Sequence, residues 1–374
     1  MRKVITALWV TLAVLVAFGL VLVYSASVTQ KGGALPFVKM QSAAAFLGLV
    51  AAIILGRIDY RFLQKRTVII PLAVLSVVLS ALVFLGPEIN GSRRWIRIAG
   101  FSLQPSEFAR IGMILAMAAW YGKVGFKSRT FVKGFLWPMV ILAVMLAPVA
   151  LSPDLGASVV ICISCGTVLF AAGVKWRYLI LAALAAVVLG GAFIMSSPNR
   201  RSRMMTYFAN VQGEESTEDT AYHRNQSLES VTRGGARGVG LGNSIQKHNF
   251  LPEANTDFIF SIAGEEFGLF GTLGVVIVFM IMLWCGVYVA YHACDRFGRL
   301  AALGLTVLLV FEAGFNIGMV TGCLPTKGLA LPFVSYGGTS IAASFIAFGL
   351  IVSIGNTSAN TEIAPMMRDA YQEF

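Results

Sequence analysis

The sequence predicts an all-α, polytopic membrane protein with about ten transmembrane helices and a long extracytoplasmic loop between helices 7 and 8. Three observations carry this. The chain is 57% hydrophobic and only 13% charged, whereas soluble domains carry about 25% charged residues. Its apolar residues form continuous runs, many close to the roughly 20 residues that cross a bilayer as a helix. They do not alternate in the short segments of an outer-membrane barrel. The net charge of +11 would suggest nucleic acid in a soluble protein. Here much of it falls in short loops, where it orients spans and meets anionic head groups, so no nucleic-acid partner is expected.

The apolar spans are 4–26, 41–56, 67–86, 106–122, 134–151, 156–173, 178–196, 263–291, 300–322 and 337–355. Met1, Arg2 and Lys3 before Val4–Tyr24 imitate a signal peptide. The run is longer than the usual 7–15 residues of such a segment and many spans follow, so it reads as a retained first helix. The second span can extend back toward Phe37, and the eighth is long enough to tilt or to begin outside the hydrocarbon. Cys162 and Cys165 have CxxC spacing inside an apolar span, with no second pair or histidine cluster. They read as small buried side chains, and five cysteines give no disulfide framework.

Orientation follows from Lys and Arg in the short loops. One side holds Arg2 and Lys3, then Arg57, Arg61, Lys65 and Arg66, then Lys123, Lys127, Arg129 and Lys133, then Lys175, Arg177, Arg296 and Arg299. The other side is poorer. Both termini are therefore expected in the cytoplasm, with loop 197–262 outside and a short cytoplasmic tail over 356–374.

Three outer segments cannot be plain helices. They are Pro87–Pro105, the long loop with its glycine run Gly234–Gly242, and Gly322–Gly338. Irregular backbone near membrane depth is tolerated only when buried in protein or lining a wet cavity. An outward-facing cavity walled by the three is expected. The glycine run lacks the strand and helix context of a dinucleotide fingerprint and reads as chain lying close to a neighbour or ligand. The acidic stretch Gly213–Thr220 reads as disordered until a partner binds.

The polar loop ends in LPEANTDFIFSIAGEEFG, Leu251–Gly268. It sets Asp257 at a membrane boundary, where an ionisable group is a functional candidate. Asn255, Thr256 and Asp257 are also good helix N-caps, and only one of them need cap. The outer cations Arg93, Arg94, Arg97, Arg200, Arg201, Arg203, Arg224 and Lys327 suit head groups or an anionic lipid phosphate or pyrophosphate. Trp95 suits an interfacial anchor equally well. Within the spans, Glu107 and Arg110 share one helix face and read as an ion pair. Glu312, with Asn316 four residues on, reads either as polar glue or as a proton or substrate group. His248 lies near the Asp257 segment in sequence but stands alone. No Ser–His–Asp set, zinc motif or Walker loop is present.

The motifs NGSRRWI (Asn90–Ile96), QPSE (Gln104–Glu107), PDLG (Pro153–Gly156), NQSL (Asn225–Leu228), the run through Phe260, GEEFG (Gly264–Gly268), NIGMVTG (Asn316–Gly322) and LPTKGLALPFVSYGG (Leu324–Gly338) span nearly the whole chain. Together they resemble the SEDS family of shape, elongation, division and sporulation proteins, and its FtsW-like division branch best. Glu312, Ser152, Thr232, Arg233, Ala236 and Arg237 depart from the family's usual residues. The resemblance implies a single SEDS-type domain over 1–374. It implies a peptidoglycan glycosyltransferase that polymerises lipid II, with Asp257 as the catalytic carboxylate and metal-positioning residue. Arg93, Arg94, Trp95, Arg224, Lys327 and Ser335 are its candidate substrate contacts. Glu107, Arg110, Pro252, Glu253, Thr256 and Glu312 are supporting residues. A divalent cation (Mg²⁺ or Mn²⁺) is implied, with no organic cofactor. The implied partners are lipid II, polyprenyl-pyrophosphate-linked glycan, a class B penicillin-binding protein and other division proteins. The implied place is the bacterial cytoplasmic membrane at the septum. A lipid II flippase and a non-catalytic division scaffold are the competing readings.

Overall fold

The computed structural model describes residues 1–30, 32–86, 94–98, 101–152, 154–196, 201–202, 204–205, 219–248, 250–325 and 328–372. Each of the ten apolar spans falls on a helix. These are α1 (Arg2–Ser27), α2 (Ala34–Arg57), α3 (Arg66–Leu82), α4 (Pro105–Val124), α5 (Trp137–Leu151), α6 (Leu155–Ala171) and α7 (Trp176–Met195). The last three are α9 (Ile259–Tyr291), α10 (Arg296–Val320) and α11 (Gly338–Gln372). Eight of the described helices are long and apolar enough to cross a membrane. Gly156–Ala171 is a shorter apolar helix, and α4 carries Glu107 and Arg110 in its first turns.

Local chemistry sets the helix ends. Pro105 opens α4, where its missing amide costs nothing. Asp154 caps α6 by accepting from the Ala157 amide at 3.2 Å. At the far end of the bundle, Asn356 donates to Gly56 O at 2.9 Å and Ser353 to Ile58 O at 2.6 Å, satisfying the last carbonyls of α2. Small residues let the helices close: a side chain at Gly349 would meet the Ala52 backbone, and one at Gly48 the Phe345 ring.

One expectation is corrected. The long loop is not all irregular: it contains α8 (Asp219–Gly234). Asp219 and Thr220 open that helix, while 213–218 of the acidic stretch lie outside the described residues. Over the tail, α11 continues as a helix to Gln372. Within Pro87–Pro105, the described part forms a two-stranded antiparallel hairpin, β1 (Ile96–Ile98) with β2 (Phe101–Leu103), Arg97 facing Ser102.

The glycine run finds its neighbour in α9. That helix breaks at Gly268, whose φ of 66° suits glycine. The break frees backbone groups that must be paired elsewhere. Val239 N donates to Glu265 O at 2.9 Å and Gly240 N to Glu266 O at 3.1 Å, while Leu269 N donates to Gly235 O at 2.9 Å. A Cβ at Gly238 would collide with the Glu266 carbonyl, so the backbones approach this closely only without side chains. The Glu265 and Glu266 side chains are fully buried and bind the residues that follow the glycine run. Ser244 Oγ donates to Glu265 at 2.5 Å, and Lys247 Nζ to Glu266 at 3.1 Å.

Gly322–Gly338 folds back into the bundle. Phe333 and Val334 are buried. A Cβ at Gly19, midway along α1, would overlap the Val334 backbone. Phe333 meets the rings of Phe345 and Phe348 edge-on. The described irregular backbone of this segment is therefore covered largely by protein.

Candidate active site

Asp257 lies just before α9, and no side chain caps that helix; its N-cap position is Phe258. The three capping candidates have other roles. Asn255 Nδ2 donates to Ser27 Oγ at 3.4 Å, and Thr256 Oγ1 to Glu253 Oε2 at 2.9 Å. Among the described residues, the Asp257 carboxylate has no hydrogen bond or ion pair.

Its backbone, by contrast, is fixed from three directions. Asn316 of α10 donates through Nδ2 to both Asp257 O at 2.8 Å and Leu329 O at 2.6 Å. Ser335 donates to Thr256 O at 2.6 Å and accepts from Leu331 N at 2.8 Å. Tyr336 N donates to Asn255 O at 2.9 Å, and Gln41 of α2 donates to Ser335 O at 2.9 Å. The Asp257 loop and the re-entrant segment thus form one clamped unit, with Gly328 against the carboxylate. A Cβ at Gly328 would stand 2.9 Å from Asp257 Oδ2. Gly328→Ala should lower turnover by up to about 10²-fold, the scale of a misplaced reacting group. The check is glycan polymerisation at matched protein levels, with unchanged thermal unfolding.

The electrostatics suit a base. Asp257 is pushed up from its ordinary value to about 7, chiefly by burial and next by the Glu253 carboxylate. Arg94 pulls the other way, and Asp154 pushes up. A base is most effective when its pKa lies near the working pH. If the ionised form acts, activity rises with pH through about 7. Glu253→Gln should move that rise to lower pH and Arg94→Gln to higher pH; rate profiles over pH 5–9 (about two units either side) check both directions.

Arg94 lies 3.9 Å from Asp154, and Gln104 donates to Asp154 at 3.3 Å. Thr339, in the first turn of α11, donates to Ser102 O of the hairpin at 3.0 Å. These contacts tie the hairpin, the start of α6 and the start of α11 to the Asp257 end of the bundle. The described part of the hairpin segment, the end of the long loop and the segment from Gly328 to Gly338 meet there, while the glycine run sits on the break in α9.

Below the site, α4 and α10 bring together Glu107, Arg110 and Glu312, all buried. Arg110 pairs with Glu107 on its own helix and with Glu312 at 2.9 Å. A gap of about 10 Å³ bordered by these three and Ser344 is room for one water.

Other expected residues fall in different places. Arg93 and Lys327 lie outside the described residues. Arg224 donates to Gly322 O at 3.2 Å, at the end of α10. Ser335 is buried with its hydroxyl committed to backbone, as part of the clamp. Trp95 is partly buried, and Pro252 and Glu253 are exposed. Glu253 adopts a φ of 54°, rare outside glycine. His248 plays no part in the clamp; the histidine that approaches this segment is His223 of α8, its ring 6.2 Å from that of Phe258. Sequence reasoning gave no site role to Asp154, Gln41 or Gln104. Only the position of Asp154 after a proline, ahead of a small-residue helix, offered a local signal.

The family model of the FtsW, RodA and SpoVE cell cycle proteins matches residues 5–360. The chain belongs to this family. It is the SEDS family that the motifs resemble, and the division branch is the nearer one. A relative in Geobacter metallireducens, named "Probable peptidoglycan glycosyltransferase FtsW", is 41% identical over 358 residues, covering 93% of each chain. Among solved structures, a chain of a peptidoglycan synthase complex that coordinates polymerization and crosslinking superposes with a TM-score of 0.78 at 27% identity. It covers 94% of this chain and 97% of that one. The rod shape determining protein RodA of Thermus thermophilus gives a TM-score of 0.69 at 26% identity, covering 93% and 95%. The FtsW/RodA/SpoVE fold thus extends over nearly the whole chain.

Proposed function

We propose that this chain is a peptidoglycan glycosyltransferase that polymerises lipid II at the outer face of the bacterial cytoplasmic membrane during septal wall synthesis. The observation that carries the reading is Asp257. Its carboxylate is free of partners among the described residues, pushed up to about 7 and mounted on a clamped backbone. That is what a base needs if it must accept a proton without reorganising.

In the proposed step, an acceptor sugar hydroxyl attacks the anomeric carbon of a pyrophosphate-linked donor. A carbon–oxygen bond forms there as the bond to the pyrophosphate breaks. The hydroxyl proton passes to Asp257, and the electron pair leaves with the pyrophosphate. Attack opposite the leaving group inverts an α-linked donor to a β-linked glycan. Arg94 offsets charge on the departing group, held in place by Asp154. Lys327, next to Gly328 in the chain, is proposed for the same task.

Among the described residues no three potential metal ligands cluster. A lone free carboxylate still fits Mg²⁺ or Mn²⁺, because such ions take one or two carboxylates and complete their shell with substrate phosphates and water. When bound, the ion would supply charge neutralisation at the pyrophosphate. The synthase complex, which coordinates polymerization with crosslinking, supports a crosslinking partner, for which a class B penicillin-binding protein is proposed. Convergence of the irregular segments at one end of the bundle favours an enzyme over a flippase, which needs groups reachable from both faces.

The test is polymerisation. The purified chain with its cognate class B partner, given outward-facing lipid II in vesicles, should form glycan strands, which neither a flippase nor a scaffold makes. No strands from a folded, partner-bound preparation would overturn the reading.

A further inference from the structure

At the end of the bundle away from Asp257, α6 and α7 part around a cavity of about 450 Å³, within the size range of ligand pockets. Phe170, Val174 and Leu179 give it apolar walls, Arg129, Lys175 and Trp176 complete the lining, and no lining residue is acidic. Lys175 precedes α7 without providing a side-chain cap. The first amides of that helix therefore add positive potential at the cavity. α7 is an exposed apolar helix: the most apolar window of this span has no buried residue. Its base is anchored by Tyr178 against Phe135 at 5.4 Å and Phe131 at 5.5 Å. Arg296 fixes the surrounding frame by donating to Ala172 O at 2.6 Å and Ser128 Oγ at 3.2 Å.

A cavity that is apolar within, cationic at its lining and open between two helices suits one class of molecule. We infer that it binds an anionic glycerophospholipid. The phosphate meets Arg129, Lys175 and the start of α7, and an acyl chain lies between Phe170 and Leu179. Trp176, two-thirds exposed, sits where an aromatic ring prefers the head-group layer. A zwitterionic lipid has the same chains but lacks the net charge. Basic residues near a head group contribute enough each to make the preference measurable.

The test is native mass spectrometry of the full chain in detergent, with phosphatidylglycerol or phosphatidylcholine of identical acyl chains added in equal amounts. Phosphatidylglycerol should be retained on the order of 10-fold better, the scale of two basic contacts. Arg129→Gln with Lys175→Gln should abolish that preference. Arg57→Gln with Lys65→Gln, which removes the same charge elsewhere at this end, should preserve it. Leu179→Trp, which fills the cavity and keeps its charges, should lower retention of both lipids, and it carries the test if the charge variant fails to fold. Equal retention of the two lipids by the wild type, equal loss from both charge variants, or unchanged binding in Leu179→Trp would each overturn the site.

Discussion

Asp257→Asn should lose glycan polymerisation by about 10²–10⁴-fold, the usual contribution of a positioned acid or base, while remaining folded and bound to its partner. The substitution keeps the side chain's shape and removes only its capacity to ionise. It should spare the fold because Asn316 holds the Asp257 backbone carbonyl, not the carboxylate. Stability should even move the other way. A carboxyl with a folded pKa near 7, above its ordinary 3.8, contributes stability that is complete below 3.8 and lost as pH rises through about 7. The wild type should therefore fall behind Asp257→Asn in thermal unfolding as pH rises across that window. A variant that kept wild-type polymerisation would remove Asp257 from the chemistry. A variant that lost both activity and stability would make it a structural residue.

Arg110→Met should be the most damaging single change in the interior. Arg110 faces two buried carboxylates, and its loss leaves both unpaired. Breaking a buried ion pair from one side costs roughly 3–5 kcal/mol, a large part of a typical stability of about 5–15 kcal/mol. The expected result is poor membrane accumulation and a much lower unfolding temperature in detergent. Arg110→Met combined with Glu107→Gln and Glu312→Gln should recover much of the loss, since a neutral cluster no longer strands a charge in low dielectric. Glu312→Gln alone should be tolerated, because Arg110 still answers Glu107. Unfolding of Arg110→Met within a degree or two of wild type (a span worth about 1–1.5 kcal/mol for a chain of this length) would show that water, not the guanidinium, carries these carboxylates.

Much of the fold is legible along the chain because bilayer crossing is a local constraint. Twenty apolar residues must form a helix to satisfy their own backbone, and all ten apolar runs are helical here. Where the sequence misled, the cause was polarity read as irregularity. α8 has too few apolar residues to announce itself as a span, yet it packs on α9 through Ser227 and Ser230, which bond Ser261.

By itself, the sequence determined the class of protein, its succession of apolar helices and the prominence of Asp257, because a charge at a membrane boundary is expensive wherever the chain goes. Only the tertiary structure decided what surrounds that charge. Asp154 and Arg94 stand about 60 residues apart in sequence and Glu312 about 200 from Arg110, and no periodicity encodes such meetings. The clamp of Asn316, Ser335 and Gln41, like the seat of the glycine run on the break in α9, joins distant segments through backbone groups that every residue carries. Pairing of that kind leaves little trace in side-chain identity, and it is settled only when packing brings two particular stretches of backbone together.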